Sequence, residues 1–300
     1  MDLNVISVSR DHQWVVCGTT KGASVWEAEI RQKVVTVEDG EPVYAVDVAP
    51  DCTKFVTGTS GEQVTIWSIT TGEKLLGPLK HSGDGVNGVR FSPDGGRLAT
   101  ACSGDFTIRI FDAHNGHLLF SIVNPIPTGL SLPIAWSTHG QRLFAVSEDY
   151  KIKSFDSSTG SPLAEWEIHE NSHDRMSIAL SANGKFIASC AGRFVSFWDI
   201  STHTQLGIIE GTQNIQSIAL SPDGCRLAAG STDSGSSTIW NLRGILPDSY
   251  LVNNVSTQLL RSSTTLIHAS SLCTRVNLLL QTVSAGSSCV HNDELIPIDV

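Results

Sequence analysis

A chain of 300 residues, 40% of them apolar and 17% charged, is long enough to bury a large core. Its formal charge of −10 excludes bulk electrostatic attraction to nucleic acid or to an anionic membrane. The seven cysteines, at 17, 52, 102, 190, 225, 273 and 289, form no C-x-x-C pair, which argues against a thiolate metal site and for reduced, structural thiols.

The N-terminus, MDLNVISVSRDH, carries no basic start followed by an apolar stretch, so no secretory signal is read. No apolar run approaches the length of a bilayer span. The expected location is the cytoplasm, with the nucleus also open. The first strand is expected at about Leu3, within ISVSRDHQWVVCG, where two short apolar runs flank a turn at Asp11. Another run closes at Trp26-Glu27. A second unit follows in VDVAPDCTKFVTG, turning at Asp51 and closing at Trp67-Ser68. The third, VRFSPDGGRLATA, turns at Asp94 and closes at Phe111-Asp112. The fourth, IAWSTHGQRLFAV, turns at His139 and closes at Phe155-Asp156. The fifth and sixth, IALSANGKFIASC and IALSPDGCRLAAG, turn at Asn183 and Asp223 and close at Trp198-Asp199 and Trp240-Asn241.

The turns lie 40, 43, 45, 44 and 40 residues apart, and the closing aromatics 41, 44, 44, 43 and 42. In the middle units a further turn and run follow, as in DAHNGHLL, DSSTGSPL and DISTHTQL. Each unit therefore reads as four strands without helical period. One such sheet leaves both faces apolar and must stack on its copies, as the blades of a radial propeller do.

This beat and its Trp-Asp ending resemble the WD-repeat β-propeller family. The fullest copy is HSGDGVNGVRFSPDGGRLATACSGDFTIRIFD, residues 81–112. The resemblance implies an all-β propeller over residues 1–243. Its repeats would span about 3–40, 41–82, 83–127, 128–173, 174–213 and 214–250. It also implies a network of His, Ser or Thr, Asp and Trp within a repeat. Matched by position, the third repeat offers His81, Thr100 and Asp105, with Phe111 in place of Trp. Asp149 stands at the Asp place of the fourth and Asp233 at that of the sixth. The fifth has Trp198 with Asp199 beside it but Gly192 instead of the Asp, and Trp67 and Trp240 keep the aromatic elsewhere. No repeat shows the whole set, so packing is expected to hold most blades. In this family an N-terminal segment usually supplies the outermost strand of the last blade, and with the first strand expected at about Leu3 no such segment is expected here.

From residue 244 the chain changes character: its last 57 residues contain no Lys and include RSSTTLIHASSLCT. They read either as a degenerate seventh blade, with TTLIHAS, VNLLLQTV and SSCVH as strands, or as a short helix near Ser256, or as a weakly ordered tail.

GDGVNG fits G-x-G-x-x-G at Gly83, Gly85 and Gly88, the dinucleotide fingerprint. That reading needs a helix after the glycines, and VNGVRFSPDGG does not sustain one. The glycines are expected instead at the crossing between two blades. His114 and His117, and His169 and His173, read as solvated loop residues rather than metal ligands. There is no G-x-S-x-G elbow, and NVS at 254–256 is a glycosylation acceptor that a cytoplasmic chain leaves unused. No catalytic residue, metal or cofactor is assigned.

The remaining function is binding. In the resembled family the turn between the second and third strands lies on the narrower face and often meets partners. The equivalent residues here are Lys21, Glu62, Phe106, Tyr150, Arg193 and Gly235. Phe106, Tyr150 and Arg193 are of the types that anchor interfaces. The expected protein is a non-catalytic scaffold for protein or peptide partners, with no nucleic-acid or membrane partner. Two alternatives remain: a sensor within a larger signalling protein, or an enzyme on a propeller scaffold.

Overall fold

Apolar runs on either side of a polar turn favour antiparallel hairpins, and the chain folds as a succession of them. The structure, a computed structural model, describes residues 3–251 apart from 82, 84, 103, 125–133, 148, 169–175 and 232–236. The first blade is β1 (Leu3–Val8), β2 (Trp14–Thr19), β3 (Gly22–Glu27) and β4 (Gln32–Glu38). The second is β5 (Val43–Val48), β6 (Lys54–Thr59), β7 (Gln63–Ser68) and β8 (Lys74–Lys80). The third is β9 (Val86–Phe91), β10 (Arg97–Cys102), β11 (Thr107–Asp112) and β12 (Leu118–Val123). The fourth is β13 (Ile134–Trp136), β14 (Arg142–Val146), β15 (Lys151–Asp156) and β16 (Pro162–Glu167). The fifth is β17 (Met176–Leu180), β18 (Phe186–Ala191), β19 (Phe194–Asp199) and β20 (Gln205–Glu210). The sixth shows three strands among the described residues: β21 (Ser217–Leu220), β22 (Arg226–Gly230) and β23 (Ser237–Asn241). Every pairing is antiparallel between neighbours in sequence, giving six blades of a β-propeller.

The turn that opens each blade explains the Ser-Pro-Asp pattern. Ser9, Ser92, Ser181 and Ser221 each donate a hydroxyl proton to the side chain two residues on, Asp11, Asp94, Asn183 and Asp223. Each hydroxyl also accepts an amide from the start of the next strand, at Trp14, Arg97, Phe186 and Arg226. One serine thus satisfies both sides of the hairpin end, where the backbone lacks partners. The hydrogen bond from Ser92, with the Gly96 amide, holds the Asp94 carboxyl below the usual range.

The inner strands stand side by side. β1 packs on β5, β5 on β9, β9 on β13, β13 on β17 and β17 on β21. Between successive blades the apolar faces merge into single clusters. Val25 of the first blade lies with Val46 and Phe55 of the second, and Ile66 of the second with Val89 and Leu98 of the third. Ile110 of the third meets Trp136 and Phe155 of the fourth, and Phe197 of the fifth meets Ile218 and Leu227 of the sixth. Among the described residues no fourth strand follows β23. Leu242, Leu246 and Leu251 join the seam of the fifth and sixth blades, and Tyr250 donates to the Asp199 carboxylate at 2.5 Å. Expected strands at 264–270 and 276–283, the SSCVH run, the helix near Ser256, His169, His173, Asp233, Gly235, Cys273 and Cys289 lie outside the described residues.

The glycines of GDGVNG divide. Gly85 takes φ +97° and lies in the crossing between blades, and a Cβ on Gly83 would fall 2.6 Å from the Asp105 amide nitrogen. Gly88 lies inside β9, opposite Ala101. A strand, not a helix, follows them, so the pyrophosphate cradle is absent from this stretch.

The seams make core truncation costly. Phe197→Ala is expected to lower the unfolding free energy by about 3–5 kcal/mol. Leu119→Ala, on the exposed side of β12, should change it by less than about 0.5 kcal/mol. Equilibrium urea denaturation of the two variants checks both.

Candidate functional site

The turns between second and third strands are built alike because each must reverse the chain within a few residues. Glu62, Phe106 and Tyr150 take left-handed φ of +65°, +54° and +58°, and Gly192 takes the same role at +58° beside Arg193. Each turn is tied to the crossing that follows its blade's outer strand. The carbonyls of Glu62, Phe106, Tyr150 and Arg193 accept the amides of His81, Asn124, Ile168 and Gly211 at 2.9, 2.8, 2.8 and 2.6 Å. Turns and crossings therefore share one rigid face. On it Phe106 is 44% exposed. Arg193 is exposed, paired with Glu210 at 2.7 Å, and its guanidinium lies 5.3 Å from the Phe194 ring centroid. Tyr150 is less open than Phe106. It is half-buried against the cluster of Phe144, Val146 and Ile152, because its backbone carries the ring back over the seam between the fourth and fifth blades.

The polar network sits just beneath this face. In the third blade His81 Nε2 lies 2.7 Å from Thr100 Oγ1, and Nδ1 lies 3.6 Å from Asp105 Oδ2. Asp105 also meets Arg109 at 2.8 Å, and Thr107 donates to it. Phe111 contacts the His81 ring edge-on, with centroids 6.3 Å apart, in place of a hydrogen bond. Burial, reinforced by the Arg109 charge, lowers the His81 pKa to about 4 against the pull of Asp105. Asp149 is half exposed, accepts from Ser147 and pairs with Lys151 and Lys153 at 3.7 and 3.5 Å. It belongs to a surface charge cluster. Trp198 donates to Ser189 at 3.0 Å, and Trp240 packs on the apolar seam of the fifth and sixth blades.

A chain of bonds in the second blade was not expected. Trp67 Nε1 donates to Thr57 Oγ1 at 2.9 Å, and Thr57 donates to Asp39 at 2.6 Å. Asp39 follows the outer strand β4 as His81 follows β8, so an aspartate stands where the resembled pattern has histidine. Burial pushes its carboxyl above the usual range, against the Thr57 bond and the charge of Lys74. Lys74 Nζ lies 5.4 Å from the Trp67 ring centroid. Alignment of VEDG with LKHS after the two outer strands is the signal that finds it.

Sequence also missed the charges lining the central channel. Asp47 on β5 is buried, pairs with Arg90 on β9 at 2.9 Å, and accepts the Phe91 amide at 2.9 Å. Desolvation raises its pKa, and Arg90 opposes that rise. Arg10, from the first blade's turn, donates to the Pro93 carbonyl at 3.1 Å. Arg97 clamps the third blade to the fourth, donating to the carbonyls of Gly140 and Ser157 and lying 5.2 Å from the Trp136 ring centroid. Nothing in the local pattern of β5 or β9 marks these residues, since they meet only across a blade boundary.

Among the described residues one cluster brings three metal-ligating types within 4.8 Å: His81, Cys102 and Asp105. Arg109 already occupies Asp105, and a cation there would meet its positive charge. The cluster is arranged as a hydrogen-bonded core. Cys17 and Cys190 are pushed up to about 12 by burial, which makes them inert thiols. His114 and His117 are exposed turn residues. No helix of the described residues is long and apolar enough to cross a membrane.

Comparison with known proteins agrees with this architecture. The family model described as WD domain, G-beta repeat matches residues 73–112, 160–199 and 203–241. A guanine nucleotide-binding protein subunit beta of Zea mays is 30% identical, over 51% of this chain and 42% of its own length. A eukaryotic translation initiation factor 3 subunit I of Scheffersomyces stipitis is 24% identical, over 67% of this chain and 63% of its own. The chain thus spans less than half the length of the maize relative. The β-propeller domain of Cps50 (Swd1) from Myceliophteria thermophila superposes with a TM-score of 0.68 at 17% identity, over 79% of this chain and 82% of that one.

Two outcomes follow from the buried charges. Below about pH 6.5 the unfolded chain protonates His81, while the folded chain refuses the proton until about pH 4. Stability from this residue is therefore full at neutral pH and lost as pH falls from 6.5 toward 4, by up to roughly 3 kcal/mol. His81→Gln should flatten that part of the stability profile, measured by denaturant unfolding at several pH values. Asp47→Ala should cost about 3–5 kcal/mol by leaving Arg90 unpaired, whereas the double change Asp47→Leu/Arg90→Met should cost clearly less. Thermal unfolding of the single and double variants reads this out.

Proposed function

We propose that this chain, a WD-repeat β-propeller, is a non-catalytic platform that holds a protein or peptide partner on the face formed by its second-to-third strand turns. The carrying observation is Phe106, a large apolar side chain 44% exposed on a turn whose carbonyl is locked to the neighbouring crossing. A rigid anchor binds with little loss of conformational freedom, so its apolar area converts more fully into affinity. Arg193 adds a planar cation on the same face, held by Glu210 and stacked on Phe194. Tyr150 stands on the equivalent turn of the fourth blade with its ring half-buried. The relatives' names support the reading, since each describes a subunit of an assembly. The buried ionisable groups also support it: Asp47 is already engaged by Arg90, and His81 by Thr100. The proposed location is the cytoplasm.

Quantitative affinity purification with wild type and Phe106→Ala/Arg193→Ala tests the platform. The expected result is loss of the same prey from the double variant, and at least a tenfold weaker Kd for the leading prey once purified. Thermal midpoints should agree within about 2 °C, because both side chains are exposed. Unchanged binding by the double variant refutes the assignment of this face.

A further inference from the structure

Corresponding positions of the six inner strands form rows along the central channel, and one row is divided in two. Near the end of each inner strand it reads Ser7, Asp47, Arg90, Ala135, Ala179 and Ala219. The second and third blades carry a charged pair there, and the fourth to sixth carry only methyl groups. The short side chains leave a cavity of about 120 Å³, with Arg10, Asp47 and Arg90 at one wall and the three alanines at the other. One water needs only about 10–15 Å³, so the space takes a small organic group.

Arg10, Asp47 and Arg90 are the ionisable residues that line it, two cations and one anion, for a net +1 within a chain of −10. Arg90 already meets Asp47 at 2.9 Å. Arg10 is the charge left over. Among the described residues its guanidinium donates once, to the Pro93 carbonyl at 3.1 Å, which leaves most of its five N–H donors for another acceptor. Burial lowers its pKa against the attraction of Asp47, as expected of a cation partly stripped of water. Thr138 also lines the cavity, and its Oγ1 is buried without a hydrogen-bond partner. A guanidinium fork matches the two oxygens of a carboxylate. One surplus positive charge balances that monoanion, whereas the second charge of a phosphate dianion would stay buried and uncompensated.

We propose that this end of the channel binds a carboxylate carried on a short apolar stem, with Arg10 as its charge partner and Ala135, Ala179 and Ala219 as its apolar wall. Arg10 and Thr138 belong to the turns between first and second strands, so the site opens on the face opposite Phe106 and Arg193. The inference is therefore independent of the partner face proposed above.

Ligand-observed NMR titration of the full 300-residue chain with butyrate, butanol and inorganic phosphate tests it. The expected result is saturable butyrate binding, with butanol, which lacks the charge, at least tenfold weaker. Arg10→Gln should weaken butyrate at least tenfold while its circular dichroism matches the wild type. Ala179→Leu, which fills the cavity from the opposite wall, should do the same. The blocked peptide acetyl-Gly-Glu-Gly-amide separates the two sources of such a group: its binding beside butyrate assigns an acidic peptide side chain, and its exclusion a free small acid. No saturable butyrate binding by the wild type overturns the proposal. So does butyrate binding that Arg10→Gln leaves unchanged, or a preference for phosphate over butyrate.

Discussion

A four-stranded antiparallel sheet with apolar residues on both faces is insoluble alone, and that constraint shapes everything else in this molecule. Each face can be covered only by another sheet of the same kind, because the side chains that stand up from one pleat must interdigitate with those of the next. Val25, Ile66, Ile110 and Phe197 each serve as the knob that enters the following blade. Stability is consequently distributed along the seams as nearest-neighbour terms, and no single blade is a self-sufficient core.

Polar groups are admitted where the seams leave room, and in two blades they are bonded into chains. Trp67, Thr57 and Asp39 form one chain of bonds, and His81, Thr100 and Asp105 another, on the same strand positions of consecutive blades. The two differ in the residue that follows the outer strand. A carboxylate accepts from the threonine in one, and an imidazole meets the threonine in the other. Each blade can therefore lose or exchange a member without losing its fold, since burial of apolar area carries most of the free energy. The fourth and sixth blades show the limit, with Ala145 and Ala229 at the position of the threonines.

The same rigidity accounts for the binding face. Turn carbonyls at Glu62, Phe106, Tyr150 and Arg193 are bonded to the crossings, so the side chains displayed there are held by the scaffold rather than by their own loops. Variation at those places changes what is displayed and leaves the blades untouched, which is how one architecture comes to present different surfaces.

The repeat, the four strands per unit and the hairpin turns were legible in the sequence, because they depend on local alternation and on turn residues such as Asp94 and Gly95 whose conformational preferences act within a few positions. The His81–Thr100–Asp105 set was legible through the resemblance to the WD-repeat family, which places those residue types at those positions of a repeat. Asp39 was hidden because the residue type changed while the position did not. Asp47 with Arg90, and Arg97 with Ser157, were hidden because 43 and 60 residues of chain separate the partners. Only the stacking of whole blades brings them together. The half-buried pose of Tyr150 was decided in the same way, by a seam between two blades that no single stretch of sequence contains. Local chemistry determined the units, and the packing of one unit on the next decided which of their side chains are core, which are clamps and which face a partner.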